Sequence, residues 1–187
     1  RVGAGRPAIP LAAVPTGRWV GVGVAAAAAR LAGLNGEKTA HALAIAAFQA
    51  PDLSAFAYSR ATGNSVKEGI GWAAITGLAA VDLARFGHTG PLDIFDHLSH
   101  YDAERIVGSL GAVWVAKDAY LKRYSCCRWI HPLIDGLYRL RAENGFLPEE
   151  VRAIEVETFG HAVGLANALD PDTIEAAQYS IPYCLAL

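Results

Sequence analysis

The sequence predicts an α+β protein, with a mostly helical region over residues 1–110 followed by a smaller region of mixed helix and strand over residues 111–187. Three observations carry this reading. Small apolar residues recur at helical spacing through the first half, and glycine and Asn-Gly stops punctuate them. After a polar stretch near residue 100 the pattern changes. Val151–Phe159 (VRAIEVETF) sets Ile154, Val156 and Thr158 on one face and Glu155 and Glu157 on the other, the period of a half-buried strand.

Taken in order, residues 1–15 carry three prolines and two glycines without a period and read as an irregular leader. Ala25–Leu34 reads as a helix stopped by Gly33-Leu34-Asn35-Gly36. Glu37–Ala50 follows with Ala40, Leu43, Ala44, Ala47 and Phe48 at helical spacing before Pro51. These two helices are expected to form an antiparallel pair whose alanines allow close approach. Pro51–Asn64 reads as a loop or broken helix. Ser65–Phe86 reads as a long helix closed by Gly87, with a small-residue face around Gly71 and Gly77 expected to be buried. Thr89-Gly90-Pro91 is a turn and Leu92–His97 a short helix.

In the second region Tyr120–Cys126 alternates as a strand would. His131–Asn144 is a helix with Leu133, Leu137 and Leu140 inward and Arg139, Arg141 and Glu143 outward, closed by Gly145. Val151–Phe159 is the second strand, Ala162–Ala168 a helical turn or helix, and Thr173–Tyr179 a helix after Asp170-Pro171-Asp172. The chain reaches residue 187 inside an apolar run and contains no methionine, so it is expected to belong to a longer open reading frame.

Composition narrows the function classes. With 53% hydrophobic residues, 18% charged residues and a formal net charge of -2, the chain has a sizeable core and no field suited to a polyanion, so nucleic acid is not an expected partner. Its most apolar run, Trp19–Ala29, is about half of what a bilayer span needs, and no membrane partner is expected. Cys126, Cys127 and Cys184 form no disulfide framework and fit free thiols in a reducing cytoplasm.

The stretch Tyr120–His131 (YLKRYSCCRWIH) gathers most of the chemistry. By residue type alone, Lys67 at a helix head is a solvated cation, and His131 before Pro132 suits a helix start for its geometry. Cys126 and Cys127 admit packing, a thiolate activated by Lys122, Arg123 and Arg128, or a metal site. A metal would need two more ligands, and only His131 is near, so no metal site is expected. If the segment is a strand, Cys126 and Cys127 point to opposite faces. Lys122 and His131 would then both reach a cleft at the strand's end. His41, His88, His97, His100 and His161 have no partner pattern and read as surface or helix-end residues.

Four runs carry a resemblance: Asn64–Pro91 (NSVKEGIGWAAITGLAAVDLARFGHTGP), Lys122–Leu137 (KRYSCCRWIHPLIDGL), Asp170–Leu187 (DPDTIEAAQYSIPYCLAL) and the hairpin GVAAAAARLAGLNGEKTAHALAIAA. Together they resemble the MmgE/PrpD family, which includes 2-methylcitrate dehydratase, cis-aconitate decarboxylase and iminodisuccinate epimerase. The resemblance implies a helical domain with an α+β lid domain, an active site between them, a homodimer, and cofactor-independent chemistry on small polycarboxylates. It implies catalytic roles for Lys67, Lys122 and His131, which would bind carboxylates, with His131 or Lys122 also transferring a proton, and it leaves Tyr124, Cys127 and Thr16 as substrate-binding candidates. In the decarboxylase a histidine follows the site lysine where this chain has Cys127, and family members often carry a histidine just before the threonine, where this chain has Val14-Pro15-Thr16. Family members are also longer, with a catalytic aspartate and histidine in N-terminal helices, so the chain is expected to be an incomplete member. The expected function is that of a lyase or isomerase of di- or tricarboxylates. The alternative is a non-catalytic carboxylate-binding or scaffold remnant of the same fold.

Overall fold

The structure, a computed structural model, describes residues 19–50, 69–97 and 101–187. The expected leader, the Pro51–Asn64 loop, the head of the long helix, Thr16 and Lys67 lie outside the described residues. The described residues divide into two compact units, one reaching residue 119 and the other running from residue 120 to 187.

The first unit is built on three helices whose contact faces are almost entirely small. Helix α1 (Val20–Leu31) buries Gly21, Val22, Ala25 and Ala29. It starts earlier than the alanine run suggested, from Val20. It ends where Gly33 takes a φ of 67°, with Gly33 N–H donating to Arg30 O at 3.3 Å and Leu34 N–H to Ala29 O at 3.1 Å. That paired closure satisfies two carbonyls the helix would otherwise leave open, and the left-handed residue it needs is glycine. Asn35 then caps α2 (Gly36–Phe48), its side chain accepting the Lys38 N–H at 2.9 Å, so Asn35-Gly36 is a helix start as well as a turn.

Helix α3 (Ile70–Arg85) buries Ala73, Gly77, Ala80, Val81 and Ala84, one stripe at helical spacing. Gly77 is buried as expected, whereas Gly71 is exposed with open space around it. At Gly77 a Cβ would overlap the Gly21 carbonyl oxygen and stand 3.0 Å from Val24 Cβ, so α1 and α3 meet backbone to backbone. Large side chains of α3 lie on the outside, with Trp72 68% exposed and Ile75 54% exposed. Gly87, at φ 92°, closes the helix with the same two-bond pattern, its own N–H donating to Ala84 O at 3.1 Å and the His88 N–H to Leu83 O at 2.9 Å.

A 3-10 turn, Leu92–Asp96, follows, and its Ile94 and Phe95 pack on the core formed by the three helices and buried Tyr101. His41 is not a plain surface residue. Its Nδ1 accepts the Gly90 N–H at 3.3 Å, which ties α2 to the segment after α3. Helix α4 (Ala103–Val107) is capped by Asp102, which accepts the Arg105 N–H at 3.0 Å.

The second unit corrects the expected fold class. Among the described residues there is no strand and no sheet, so the α+β lid domain is not found. Tyr120–Cys126 is irregular and bends through residues 123–126. Val151–Phe159 is unladdered chain, with Ile154 45% exposed and Val156 packed on the core. Alternation fixes only which side of an extended backbone each residue takes. A strand also needs a neighbour to exchange N–H and C=O groups with, and no described segment supplies one.

Helices carry this unit instead: α5 (His131–Asn144), α6 (Gly160–Val163), α7 (Ile174–Ala177) and α8 (Ile181–Ala186). Helix α5 has the expected bounds, with Pro132 in its first turn and Gly145 at φ 68° closing it. Leu133 and Leu137 are partly buried, but Leu140, expected inward, is half exposed. The short helices are held by side chains. Thr173 accepts the Ala176 N–H at 3.1 Å, and Ser180 accepts the Tyr183 N–H at 3.1 Å while donating to Ala168 O at 2.6 Å. Asn167, at φ 48°, donates to Ala162 O and Val163 O and accepts the Ile181 N–H at 2.9 Å. These bonds frame a core of Cys126, Ile130, Ala162, Leu165, Tyr179 and Ile181.

Candidate functional site

The polar cluster of the second unit forms around Tyr124. The chain reaches α5 through the 3-10 turn Arg128–Ile130, pinned at its start by Cys127 N–H donating to Gln178 O at 2.8 Å. This places His131 at the first position of α5 and Asp135 one turn later, and residues four apart share a helix face. The Tyr124 hydroxyl donates to Asp135 Oδ1 at 2.7 Å, and Arg123 Nη1 reaches the same oxygen at 3.3 Å. The Tyr124 ring meets the His131 imidazole edge to face, with centroids 5.1 Å apart, and stacks on Tyr138 at 6.4 Å.

His131 is only 4% exposed, and its Nε2 is buried with no hydrogen-bond partner. Such an atom costs about 1–3 kcal/mol when left unpaired, so the buried Nε2 is a place where a ligand or a proton has a use. The phenol of Tyr124 is held above its ordinary value, first by the hydrogen bond to Asp135 and against the opposing charge of Arg123. It therefore stays protonated with its proton committed to Asp135. Towards a further ligand it offers its oxygen as an acceptor, or its ring, rather than a donor.

The remaining candidates divide. Lys122 is exposed, and its ammonium makes no hydrogen bond or ion pair among the described residues. The strand that was expected to aim Lys122 and His131 into one cleft is absent, and no hydrogen bond or ring contact joins the two. Cys126 is buried in the core and Cys127 packs at its edge, so the bend puts both thiols against one cluster instead of on opposite faces. Arg128 Nε donates to Tyr120 OH at 3.0 Å, with the guanidinium over the Tyr120 ring. His161 packs among Trp129 and Phe159, with ring centroids 5.9 and 6.2 Å away. Thr16 and Lys67 lie outside the described residues. Among the described residues no group of three or more His, Cys, Asp or Glu is placed to hold a metal ion. No described helix is long and apolar enough to cross a membrane.

Asp135 is the residue that sequence reasoning missed. Its signal was present in HPLID, where histidine and aspartate stand four apart on the predicted helix, but a surface aspartate acquires meaning only when a tyrosine eleven residues earlier folds back onto it. A separate cavity of about 400 Å³ lies between α5, residues 146–154 and α8. Among the described residues Arg141 is its single charged lining residue, which does not suit a ligand with two or three carboxylates.

The fold and the cluster define a helical chain with a tyrosine-bounded, buried histidine. Comparison with known families then places it. Residues 7–103 match the MmgE/PrpD N-terminal domain and residues 124–187 match the MmgE/PrpD C-terminal domain. The chain belongs to the MmgE/PrpD family. No curated protein and no solved structure matches it.

Proposed function

We propose that the protein is a lyase or isomerase of small di- or tricarboxylates, working by proton transfer without a cofactor. Family membership supports the class of chemistry. The single observation that carries the reading to this chain's residues is the buried His131 imidazole with its unpartnered Nε2, one 3-10 turn, begun by Arg128, after a segment bearing Lys122 and Arg123. Elimination of water and epimerisation both begin with removal of a proton α to a carboxylate, and decarboxylation ends with delivery of one to a carbanion. His131 Nε2 is the base in the first case and, once protonated, the acid in the second. The negative charge that builds on the substrate needs a cation, and Lys122, whose ammonium has no other engagement among the described residues, supplies it. Lys67, Tyr124, Cys127 and Thr16 remain proposed substrate contacts, Tyr124 through its ring or its oxygen. A homodimer remains the proposed assembly.

The test is turnover and thermal stabilisation of the full-length protein with 2-methylcitrate, cis-aconitate and iminodisuccinate. One substrate is expected to turn over, and Lys122→Ala and His131→Gln are each expected to reduce its rate by on the order of 100-fold or more while the fold persists. Stabilisation without turnover would favour a carboxylate-binding protein instead. Neither response with any of the three would remove the polycarboxylate reading.

A further inference from the structure

The tethered tyrosine bears on how the buried histidine is held. Among the described residues nothing hydrogen-bonds the His131 imidazole: its Nε2 has no partner there, and its contacts are the Tyr124 ring and the packing at the start of α5. A ring in that condition is oriented by its neighbours alone. Tyr124 could not do this unaided, because its segment is irregular and bent, without a ladder to fix it. Beside its stack on Tyr138 and its packing against the core, it is fixed by the hydroxyl, which reaches Asp135 at 2.7 Å, in the range of a strong O–H···O⁻ bond.

We propose that Asp135 is a positioning residue that acts through Tyr124, pinning its ring against His131 so that the imidazole is held in one orientation with Nε2 unbonded. The inference rests on the proton-transfer role given to His131 above. Two features of the cluster support it. Asp135 and His131 share a face of the same rigid helix, so the tether and the ring it serves are fixed to one element. The second partner of Asp135, Arg123, is a weak substitute: the pair is 3.3 Å apart with side chains 75% and 52% exposed, and exposed pairs of this kind contribute little. The phenol is therefore the partner whose loss should matter.

The test uses the full chain with its histidines labelled for NMR, comparing wild type with Asp135→Ala, Asp135→Asn, Arg123→Ala and Tyr124→Phe. The Tyr124 ring current should displace the His131 ring-proton resonances. That displacement should collapse in Asp135→Ala and in Tyr124→Phe, which each remove one end of the tether. It should survive in Arg123→Ala and be largely restored in Asp135→Asn, whose amide oxygen still accepts the phenol proton. Unchanged His131 resonances in Asp135→Ala would overturn the proposal. With 2-methylcitrate or cis-aconitate, whichever turns over, Asp135→Ala should lower kcat at least tenfold with little change in KM, and Asp135→Asn should recover most of it. If His131→Gln abolishes turnover while Asp135→Ala leaves kcat intact, the positioning role is wrong. If His131→Gln itself turns over normally, the proton-transfer reading fails, and the tether stands or falls on the resonances alone.

Discussion

The two units of this chain stabilise themselves in opposite ways. The first is a backbone-to-backbone assembly. Alanine and glycine line α1, α2 and α3, each buried methyl brings only about 0.8 kcal/mol, and the compensation is close approach, with Gly77 against the Gly21 carbonyl. The second unit has few long helices, and its turns are set by polar side chains: Asn167, Thr173 and Ser180 on backbone groups, and Asp135 on Tyr124. The difference teaches where substitutions should hurt. In the first unit, added volume should do the damage. In the second, a lost polar atom should.

The largest effect expected from this contrast is at Gly77. Gly77→Ala forces α1 and α3 apart and should destabilise the protein by about 3 kcal/mol in urea unfolding, the scale of overpacking a tight core. Asn167→Ala comes next. It removes three hydrogen bonds and puts alanine in left-handed backbone, at about 2 kcal/mol, and Asn167→Gly should recover the part due to backbone strain. A smaller effect, of opposite sign, is expected at Gly71. It lies in the same helix as Gly77 but is exposed with open space around it, so Gly71→Ala should stabilise by about 0.5–1 kcal/mol. If the Gly71 and Gly77 variants behaved alike, the close contact between α1 and α3 would be wrong.

The smallest effect concerns pH. The raised phenol of Tyr124 favours the folded state while it is protonated. That contribution is therefore fully present below the ordinary tyrosine value of about 10 and is lost as pH rises through the higher folded value. Ultraviolet titration should show one tyrosine ionising late, and the late step should disappear in Tyr124→Phe and move down in Asp135→Ala.

The same contrast explains what could be read from the sequence. Helix bounds that depend on local chemistry were legible: the Gly33 and Gly87 stops, the α5 span from His131 to Gly145, and the Thr173 start all follow from residues within one turn. The buried stripe through Gly77 was legible in part, since small residues declare a close contact without saying which turn makes it. The strands were not legible as such. VRAIEVETF carries the right alternation, but whether it joins a ladder depends on a partner elsewhere in space, and no described segment is that partner. The site divides in the same way. Lys122 and His131 stood out by type and resemblance, whereas the Tyr124–Asp135 tether depends on a fold-back that no spacing announces.

The central claim is that the buried His131, held by Tyr124, is where a carboxylate substrate is worked on. It is tested most directly by following the His131 imidazole nitrogens by NMR while cis-aconitate, 2-methylcitrate or iminodisuccinate is added. A saturable shift of Nε2 with at least one of the three, weakened in Lys122→Ala, is the expected result. Nε2 resonances that stay in place with all three would contradict it.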